Sequence, residues 1–128
     1  MNLEDLEIQA EYNTPYIFLS KNQNKFILEG RSYPEDAVKF YTPIIKWFQE
    51  YLKLPNKETV IEIKLEYINT ATYKVIVKML SMIKENLDED NKIKVKWYYS
   101  EDDEDIIELG NEIEKLIKIP FEYVKLEN

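Results

Sequence analysis

The chain has 128 residues, a formal net charge of −8, a pI near 4.7 and 45% hydrophobic residues. It contains no histidine and no cysteine, which excludes imidazole acid–base catalysis, thiol nucleophiles, disulfides and the usual zinc, haem and iron–sulfur ligands. The acidic balance argues against nucleic acid and anionic membranes as partners, and two glycines are too few for a phosphate-binding loop.

The length and composition predict one domain over residues 1–128, without a linker or an internal repeat. The first residues have neither the basic nor the apolar segment of a signal peptide, and no apolar run approaches membrane-spanning length. We therefore expect a cytoplasmic protein.

The first elements are a hairpin and a helix. The apolar runs YIFLS and KFILE flank the polar turn KNQNK, which is typical of a β-hairpin. The segment SYPEDAVKFYTPIIKWFQEYL then predicts a helix, because Ser32 and Glu35 form a capping-box pattern with Pro34 in the first turn. Pro43 lies inside the helical pattern, so we expect a kink or a break near Thr42.

The second half alternates strands and helices. The runs TVIEIKLEYI and KIKVKWYY have period-two alternation, which predicts strands with one covered and one solvated face. Tyr67 falls on the apolar face of the first run. One helix follows Thr70, and a second follows SEDDED with Ser100 as the expected cap; the short strand IPFEYVKLE comes last.

The element order is β-β-α-β-α-β-α-β. Right-handed crossovers between successive parallel strands place every helix on the same side of the sheet. The sequence therefore predicts an α/β fold with a single mixed sheet of about five strands and helices on one face. The turns EGRSYPED, YINTATYK and YYSEDDED then meet along one edge, where open α/β proteins commonly bind ligands.

The stretch EYINTATYK carries more polar side chains than one helix start needs. Either Thr70 or Asn69 is a plain N-cap, or a hydroxyl here accepts a phosphate, which helix N-termini stabilise. Lys74 follows Thr70 by four residues, and the acidic cluster of residues 101–105 lies across the same edge. Phosphate would add about −1.5 to −2 charge to that surface. The residues alone leave both interpretations open.

Two other candidate sites are less specific. The acidic run SEDDED lacks the glycine and spacing of a calcium loop, so a solvated helix start is favoured over a metal site. Several tyrosines lie at or near the same edge, where they fit a partner-binding surface and the border of a small core equally well: Tyr33, Tyr67, Tyr73, Tyr98 and Tyr99. No nucleophile, base and orienting group form a catalytic set, so we expect no enzyme.

The segments EGRSYPEDAVKFYTPIIKWFQEYL, LEYINTATYK, KVKWYYSEDDEDIIELGNEIEKL and PFEY together carry a family resemblance. From about Thr14 to Val124 the chain resembles the SiaC-type regulatory phosphoproteins of bacterial biofilm control. The resemblance implies a fold similar to the anti-sigma factor antagonists (STAS domains) and no cofactor. It also implies phosphorylation by a dedicated serine/threonine kinase and dephosphorylation by a PP2C-type phosphatase. The unphosphorylated form would bind an effector, which in the best-known system is a diguanylate cyclase of cyclic-di-GMP signalling.

Carried onto this chain, the resemblance makes Thr70 the phosphate acceptor. The other matched positions, expected to bind partners, are Asn69, Thr72 and Lys74 in one turn and Ser32, Tyr33, Pro34 and Glu35 in the other. Ala71 stands where a serine is frequent in the family, which removes one alternative acceptor. Two other hypotheses remain: a constitutive interaction module without a switch, and a small metal-dependent enzyme.

Overall fold

The structure is a computed structural model and describes residues 3–127. In these residues six strands form one mixed sheet, and three helices pack against it. The elements in chain order are β1 (Leu6–Ile8), β2 (Tyr16–Ser20), β3 (Lys25–Ser32), α1 (Ala37–Tyr51), β4 (Glu58–Ile68), α2 (Thr70–Glu85), β5 (Lys92–Tyr99), α3 (Glu104–Ile117) and β6 (Phe121–Lys125). None of the helices described there is long and apolar enough to cross a membrane.

The strands lie in the sheet in the order in which they occur in the sequence. β1, β2 and β3 pair antiparallel, and β3, β4, β5 and β6 pair parallel. The predicted mixed sheet, hairpin and element order are confirmed. β1 was not predicted, because three residues are too short to show an alternating pattern.

The core lies on one face of the sheet. Inward-pointing strand residues such as Ile63 and Val95 are fully buried against helix residues such as Ile44, Ile76 and Ile113. Residues 62, 64, 94 and 96 on the other face carry charged side chains that stay in contact with solvent. The prediction of helices on one face is therefore confirmed. The period-two alternation of β4 and β5 explains this arrangement, because it gives the sheet one apolar face and one charged face.

The predicted start of the first helix was wrong. Ser32 is the last residue of β3, and the helix begins at Ala37 with Asp36 as its N-cap. The Asp36 carboxylate accepts a hydrogen bond of 3.0 Å from the Lys39 N–H. The helix also continues unbroken through Pro43, and the Thr42 hydroxyl donates to the Val38 carbonyl at 2.6 Å. Ser-x-x-Glu is thus a coincidental match to the capping box.

Two further local predictions need correction. Between Gly30 and Arg31 the pairing of β3 with β4 shifts register, so that Glu66 is an extra residue in β4. The extra residue reverses the alternation, and Tyr67 is 52% exposed instead of lying on the apolar face. The cap of α3 is Asp103, not Ser100: the Asp103 carboxylate accepts from the Ile106 N–H at 3.1 Å.

Candidate functional site

The candidate site is the edge of the sheet where β3, β4 and β5 end, called here the rim and formed by residues 29–36, 67–74 and 98–105. These strands are parallel neighbours, so their carboxyl ends lie together. The first two turns are joined directly, because the Asn69 N–H donates to the Ser32 carbonyl at 3.0 Å. The predicted meeting of three turns at one edge is confirmed.

Asn69, and not Thr70, caps α2. Its backbone is extended, and its side-chain oxygen accepts a hydrogen bond of 2.8 Å from the Thr72 N–H. Thr70 is therefore the first residue of the helix, and its side chain is exposed. Within residues 3–127 the Thr70 hydroxyl has no hydrogen-bond partner. A hydroxyl with no capping role thus stands at the positive end of a helix dipole.

Thr72 has the opposite environment, although it is only two residues away. Its hydroxyl is fully buried and lies 2.9 Å from the Ser32 hydroxyl and 3.2 Å from the Ser32 carbonyl. The Ser32 hydroxyl also lies 2.8 Å from the Tyr41 hydroxyl. Each of the three hydroxyls has one proton, so Tyr41 donates to Ser32, Ser32 to Thr72, and Thr72 to the Ser32 carbonyl. This buried network ties β3, α1 and α2 together beneath the rim.

The network has an electrostatic consequence for Tyr41. Burial raises the pKa of the Tyr41 hydroxyl to about 12, and the Ser32 hydroxyl, which can rotate to donate to a phenolate, lowers that pKa by a smaller amount. Removing water from around a phenolate disfavours the charged form, which is the cause of the shift. Tyr41 therefore stays neutral and remains a hydrogen-bond donor throughout the physiological range.

The other predicted partner-binding residues differ in exposure. Glu35 and Lys74 are exposed, Tyr33 and Asn69 are half-buried, and Pro34 is buried. The buried residues Ser32, Pro34 and Thr72 can shape the rim, but their side chains do not reach its surface. No carboxylate of the described chain lies within salt-bridge distance of Lys74.

A row of three tyrosines crosses the rim beside these residues. The Tyr33 ring lies edge-on to the Tyr67 ring, with centroids 5.6 Å apart, and to the Tyr12 ring at 6.4 Å. Tyr12 is 79% exposed. Tyr12 was not predicted to lie at the rim. A hydrogen bond from the Tyr33 N–H to the Asn13 carbonyl brings Tyr12 to the rim, and this bond joins segments that are distant in the sequence. Exposed, well-packed tyrosines are typical of partner-binding surfaces.

The third turn gives the rim its acidic character. Asp103 caps α3, and Glu104 and Asp105 lie in its first turn, where carboxylates are stabilised by the helix dipole. Glu101 pairs with Lys125 at 3.2 Å. Across residues 3–127 the acidic side chains form no group of three or more placed to hold a metal ion. Capping and the helix dipole thus account for Asp103, Glu104 and Asp105.

Comparison with solved structures relates this fold to proteins of Pseudomonas aeruginosa. SiaC superimposes with a TM-score of 0.86 at 23% identity, covering 96% of this chain and 99% of SiaC. A crystal structure of the diguanylate cyclase SiaD in complex with its activator SiaC gives 0.87 at 24% identity, covering 95% of this chain and 100% of the matched one. At this identity the structures show a common fold.

Comparison of sequences identifies the family. An uncharacterized protein of P. aeruginosa is 24% identical over 119 residues, which are 93% of this chain and 94% of that protein. The family model described as "SiaC family regulatory phosphoprotein" matches residues 8–126. The match covers nearly the whole chain and includes all three turns of the rim, so this chain belongs to the SiaC family of regulatory phosphoproteins.

Proposed function

We propose that this chain is a non-catalytic partner-switching protein whose rim binds an effector, and whose binding is controlled by reversible phosphorylation of Thr70. A serine/threonine kinase adds the phosphate and a PP2C-type phosphatase removes it. The effector is a diguanylate cyclase, by analogy with the SiaC–SiaD complex of P. aeruginosa. Membership of a family of regulatory phosphoproteins supports this proposal.

The observation that carries the proposal is the contrast between the two threonines of the rim. Thr70 is exposed and Asn69 does the capping, so a kinase can reach the Thr70 hydroxyl without removing a hydrogen bond of the fold. Thr72 and Ser32 are fully buried and bonded to each other. Phosphorylating either of them would require the buried network to open.

The start of α2 also suits a phosphate electrostatically. The first N–H groups of a helix have no partner within the helix, and they point toward the space that a phosphate on Thr70 occupies. Lys74, one turn later and free of ion pairs with the described carboxylates, supplies a positive charge. The phosphate adds about −1.5 to −2 charge to the rim, which disfavours the effector complex through like-charge repulsion and desolvation.

The proposal is tested by incubating the purified protein with ATP and its cognate kinase and measuring intact mass with fragment localisation. We expect one added phosphate, located on Thr70, and none on the Thr70→Ala variant. An Ala71→Ser variant is a matched control, since it places a second exposed hydroxyl beside Thr70. Phosphate on Thr72 or Ser32 of the wild-type protein would overturn the site assignment.

A constitutive interaction module is the second candidate, and the exposed tyrosine row favours partner binding with or without a switch. The two candidates differ in the effect of charge at Thr70. Under the switch, Thr70→Glu weakens effector binding measured by calorimetry. Equal affinity of the wild-type protein, the phosphorylated protein and Thr70→Glu would instead identify a constitutive module.

A further inference from the structure

One face of the sheet, called here the open sheet face, is covered by no helix of residues 3–127. The three helices pack on the opposite face, and β3, β4, β5 and β6 are parallel neighbours. Parallel strands occur mostly in sheets that are covered on both faces. Four parallel strands with one uncovered face are therefore a candidate interface.

The charges of the open sheet face are balanced. Four glutamates and four lysines point outward from its three central rows of paired residues: Glu7, Glu29, Glu62, Glu122, Lys25, Lys64, Lys94 and Lys96. The whole chain, in contrast, has a formal net charge of −8. The excess of negative charge consequently lies on the other surfaces.

The same face has an apolar strip and side chains that are already held in place. Phe18 and Ile27 are paired across β2 and β3, and both are half-buried. The Lys64 ammonium lies 3.9 Å from the Glu62 carboxylate and 4.7 Å from the centre of the Tyr98 ring. Ordered side chains lose less conformational entropy when a partner binds. These residues thus suit an interface better than mobile surface lysines and glutamates do.

We propose that the open sheet face binds the same face of a second copy of this chain in a two-fold symmetric dimer. Charge selects this partner, because two chains that each carry −8 repel one another except where their surfaces are balanced. The face is roughly 24 Å wide and 26 Å long, so a dimer buries about 1,200 Å² in total. This area is at the low end for specific interfaces, and we expect a dissociation constant on the order of 10–100 μM.

A two-fold axis parallel to the strands, between β3 and β4, brings opposite charges together. It places β3 opposite β4 of the second copy and β2 opposite β5, so Glu29 faces Lys64 and Phe18 faces Lys96. An axis across the strands at the middle row would instead set Glu62 against Glu62. Glu29 is available for this contact, because its carboxylate lies within 4 Å of no lysine or arginine of residues 3–127.

The dimer leaves the phosphate acceptor free. An axis parallel to the strands keeps their direction, so the rims of both copies lie at the same end of the dimer, and the exposed Thr70 lies outside the interface. The dimer therefore presents two rims side by side. The inference does not depend on the proposed switch, and phosphate on Thr70 should change the dimer affinity by less than about twofold.

Sedimentation equilibrium of the purified protein between about 1 μM and about 1 mM is the first test. We expect the mass to rise from that of one chain to that of two. In an equal mixture of isotopically labelled and unlabelled protein, NMR should detect contacts between the Phe18 ring and Lys96 of the other chain. A monomer at every concentration, or contacts between chains confined to the helices, would overturn the proposal.

Charge reversal separates contacts between chains from contacts within one chain. Glu29→Lys alone and Lys64→Glu alone each place like charges opposite one another twice, and each should weaken the dimer by about tenfold or more. An equal mixture of the two variants should regain wild-type affinity, because in the mixed dimer every lysine at these positions faces a glutamate. Wild-type affinity of either variant alone, or no recovery in the mixture, would contradict the proposal.

Ile27→Glu tests the apolar strip, since it places a carboxylate at the centre of the interface. We expect it to weaken the dimer by about tenfold or more. Leu116→Glu is the matched control, because it makes the same change at a position on α3 that is 61% exposed and lies away from the open sheet face. Equal losses in two variants that circular dichroism shows to be folded would mean that net charge, and not this face, governs association.

Phosphorylation distinguishes this proposal from the switch. If the phosphorylated protein releases the effector and the wild-type protein is a monomer at every concentration, the dimer fails and the switch stands. If the dimer forms as expected but phosphate on Thr70 leaves effector binding unchanged, the dimer stands and the switch fails.

Discussion

At the scale of single residues, the two threonines of the Asn-Thr-Ala-Thr turn divide two tasks. Successive residues of a helix are rotated by about 100°, so side chains two positions apart point to nearly opposite sides. Thr70 consequently faces solvent and Thr72 faces the core. The turn contains an amide and two hydroxyls because Asn69 caps, Thr72 anchors and Thr70 is left accessible.

The division predicts opposite results for the same substitution at the two positions. Thr72→Val keeps the shape of the side chain but removes the acceptor of the Ser32 hydroxyl proton and one of the two hydrogen bonds to the Ser32 carbonyl, so we expect a loss of about 1–3 kcal/mol in the free energy of unfolding. Thr70→Val, the matched control, should change it by less than about 0.5 kcal/mol. Urea unfolding of both variants checks this, and similar losses in the two would contradict the assignment of Thr72 as an anchor.

The buried network also predicts an alkaline limit to stability. The folded-state pKa of Tyr41 is raised to about 12, above the value of about 10 for an exposed tyrosine. A group whose pKa is raised by folding contributes its full stability below pH 10, and that contribution is lost as the pH rises from 10 to 12. A two-unit shift corresponds to about 2–3 kcal/mol.

Urea unfolding of the wild type and of Tyr41→Phe between pH 8 and pH 12 measures this contribution. Tyr41→Phe should lower stability at pH 8 and show a shallower decline above pH 10. Tyr12→Phe is the control for general alkaline effects, because Tyr12 is 79% exposed. A decline above pH 10 that is the same in Tyr41→Phe and in the wild type would show that Tyr41 does not cause it.

The sequence was sufficient to place Thr70 on the rim, since it follows an alternating strand and precedes a helical pattern. It was not sufficient to distinguish Thr70 from Asn69 as the cap, because both residue types cap helices well. The roles of Ser32 and Thr72 were also out of reach. Their hydrogen bond joins positions 40 residues apart, and only the parallel pairing of β3 with β4 brings them together.

At the scale of elements, strands were predicted better than helix starts. Alternation over eight residues fixed β5 at Lys92–Tyr99, because a shift by one residue would turn every apolar side chain to the solvent. The first helix starts later than predicted, because Ser32 still belongs to β3 and Asp36 is the N-cap. The register shift after Gly30 leaves Tyr67 exposed, and the alternating pattern of β4 does not predict that shift.

The contact between α3 and β5 yields a prediction for Gly110. A methyl group at this position would lie 2.7 Å from Nε1 of Trp97, a ring that is held by a hydrogen bond of 2.8 Å to the Ile106 carbonyl and stacked on Phe121. Alanine favours the helix by about 1 kcal/mol, but overpacking of a buried ring costs about 1–3 kcal/mol. We therefore expect Gly110→Ala to be net destabilising in urea unfolding.

Trp97 fluorescence should change in the same variant, against a constant background from Trp47. The adjacent Asn111 is exposed on the same helix, so Asn111→Ala tests helix propensity alone and should leave stability equal or slightly higher. A Gly110→Ala variant as stable as Asn111→Ala would show that β5 and α3 separate without penalty.

At the scale of the whole molecule, the charged side chains form distinct surfaces that are separate from the hydrogen bonds of the core. The open sheet face balances its charges across strands, as in the Lys94–Glu122 pair at 3.0 Å, which lowers the pKa of Glu122 through a hydrogen bond and the lysine charge. The rim has an excess of carboxylates, and Lys46 and Lys78 line the groove between α1 and α2. The proposed phosphate on Thr70 would therefore lie between two oppositely charged surfaces.

This arrangement predicts that phosphorylation alters binding without altering the fold. The phosphate meets the positive end of α2, which stabilises anions by about 0.3–1 kcal/mol, and repulsion from the acidic cluster is screened over about 8 Å at physiological salt. The phosphorylated protein should thus unfold at the same or a slightly higher temperature than the unphosphorylated one, with unchanged amide exchange in α2 and in the buried Ser32 network. A phosphorylated form that is less stable by more than about 1 kcal/mol, or that exchanges the amides of α2 faster, would mean that the switch opens the helix. A change of surface charge alone would then no longer explain how phosphorylation alters binding.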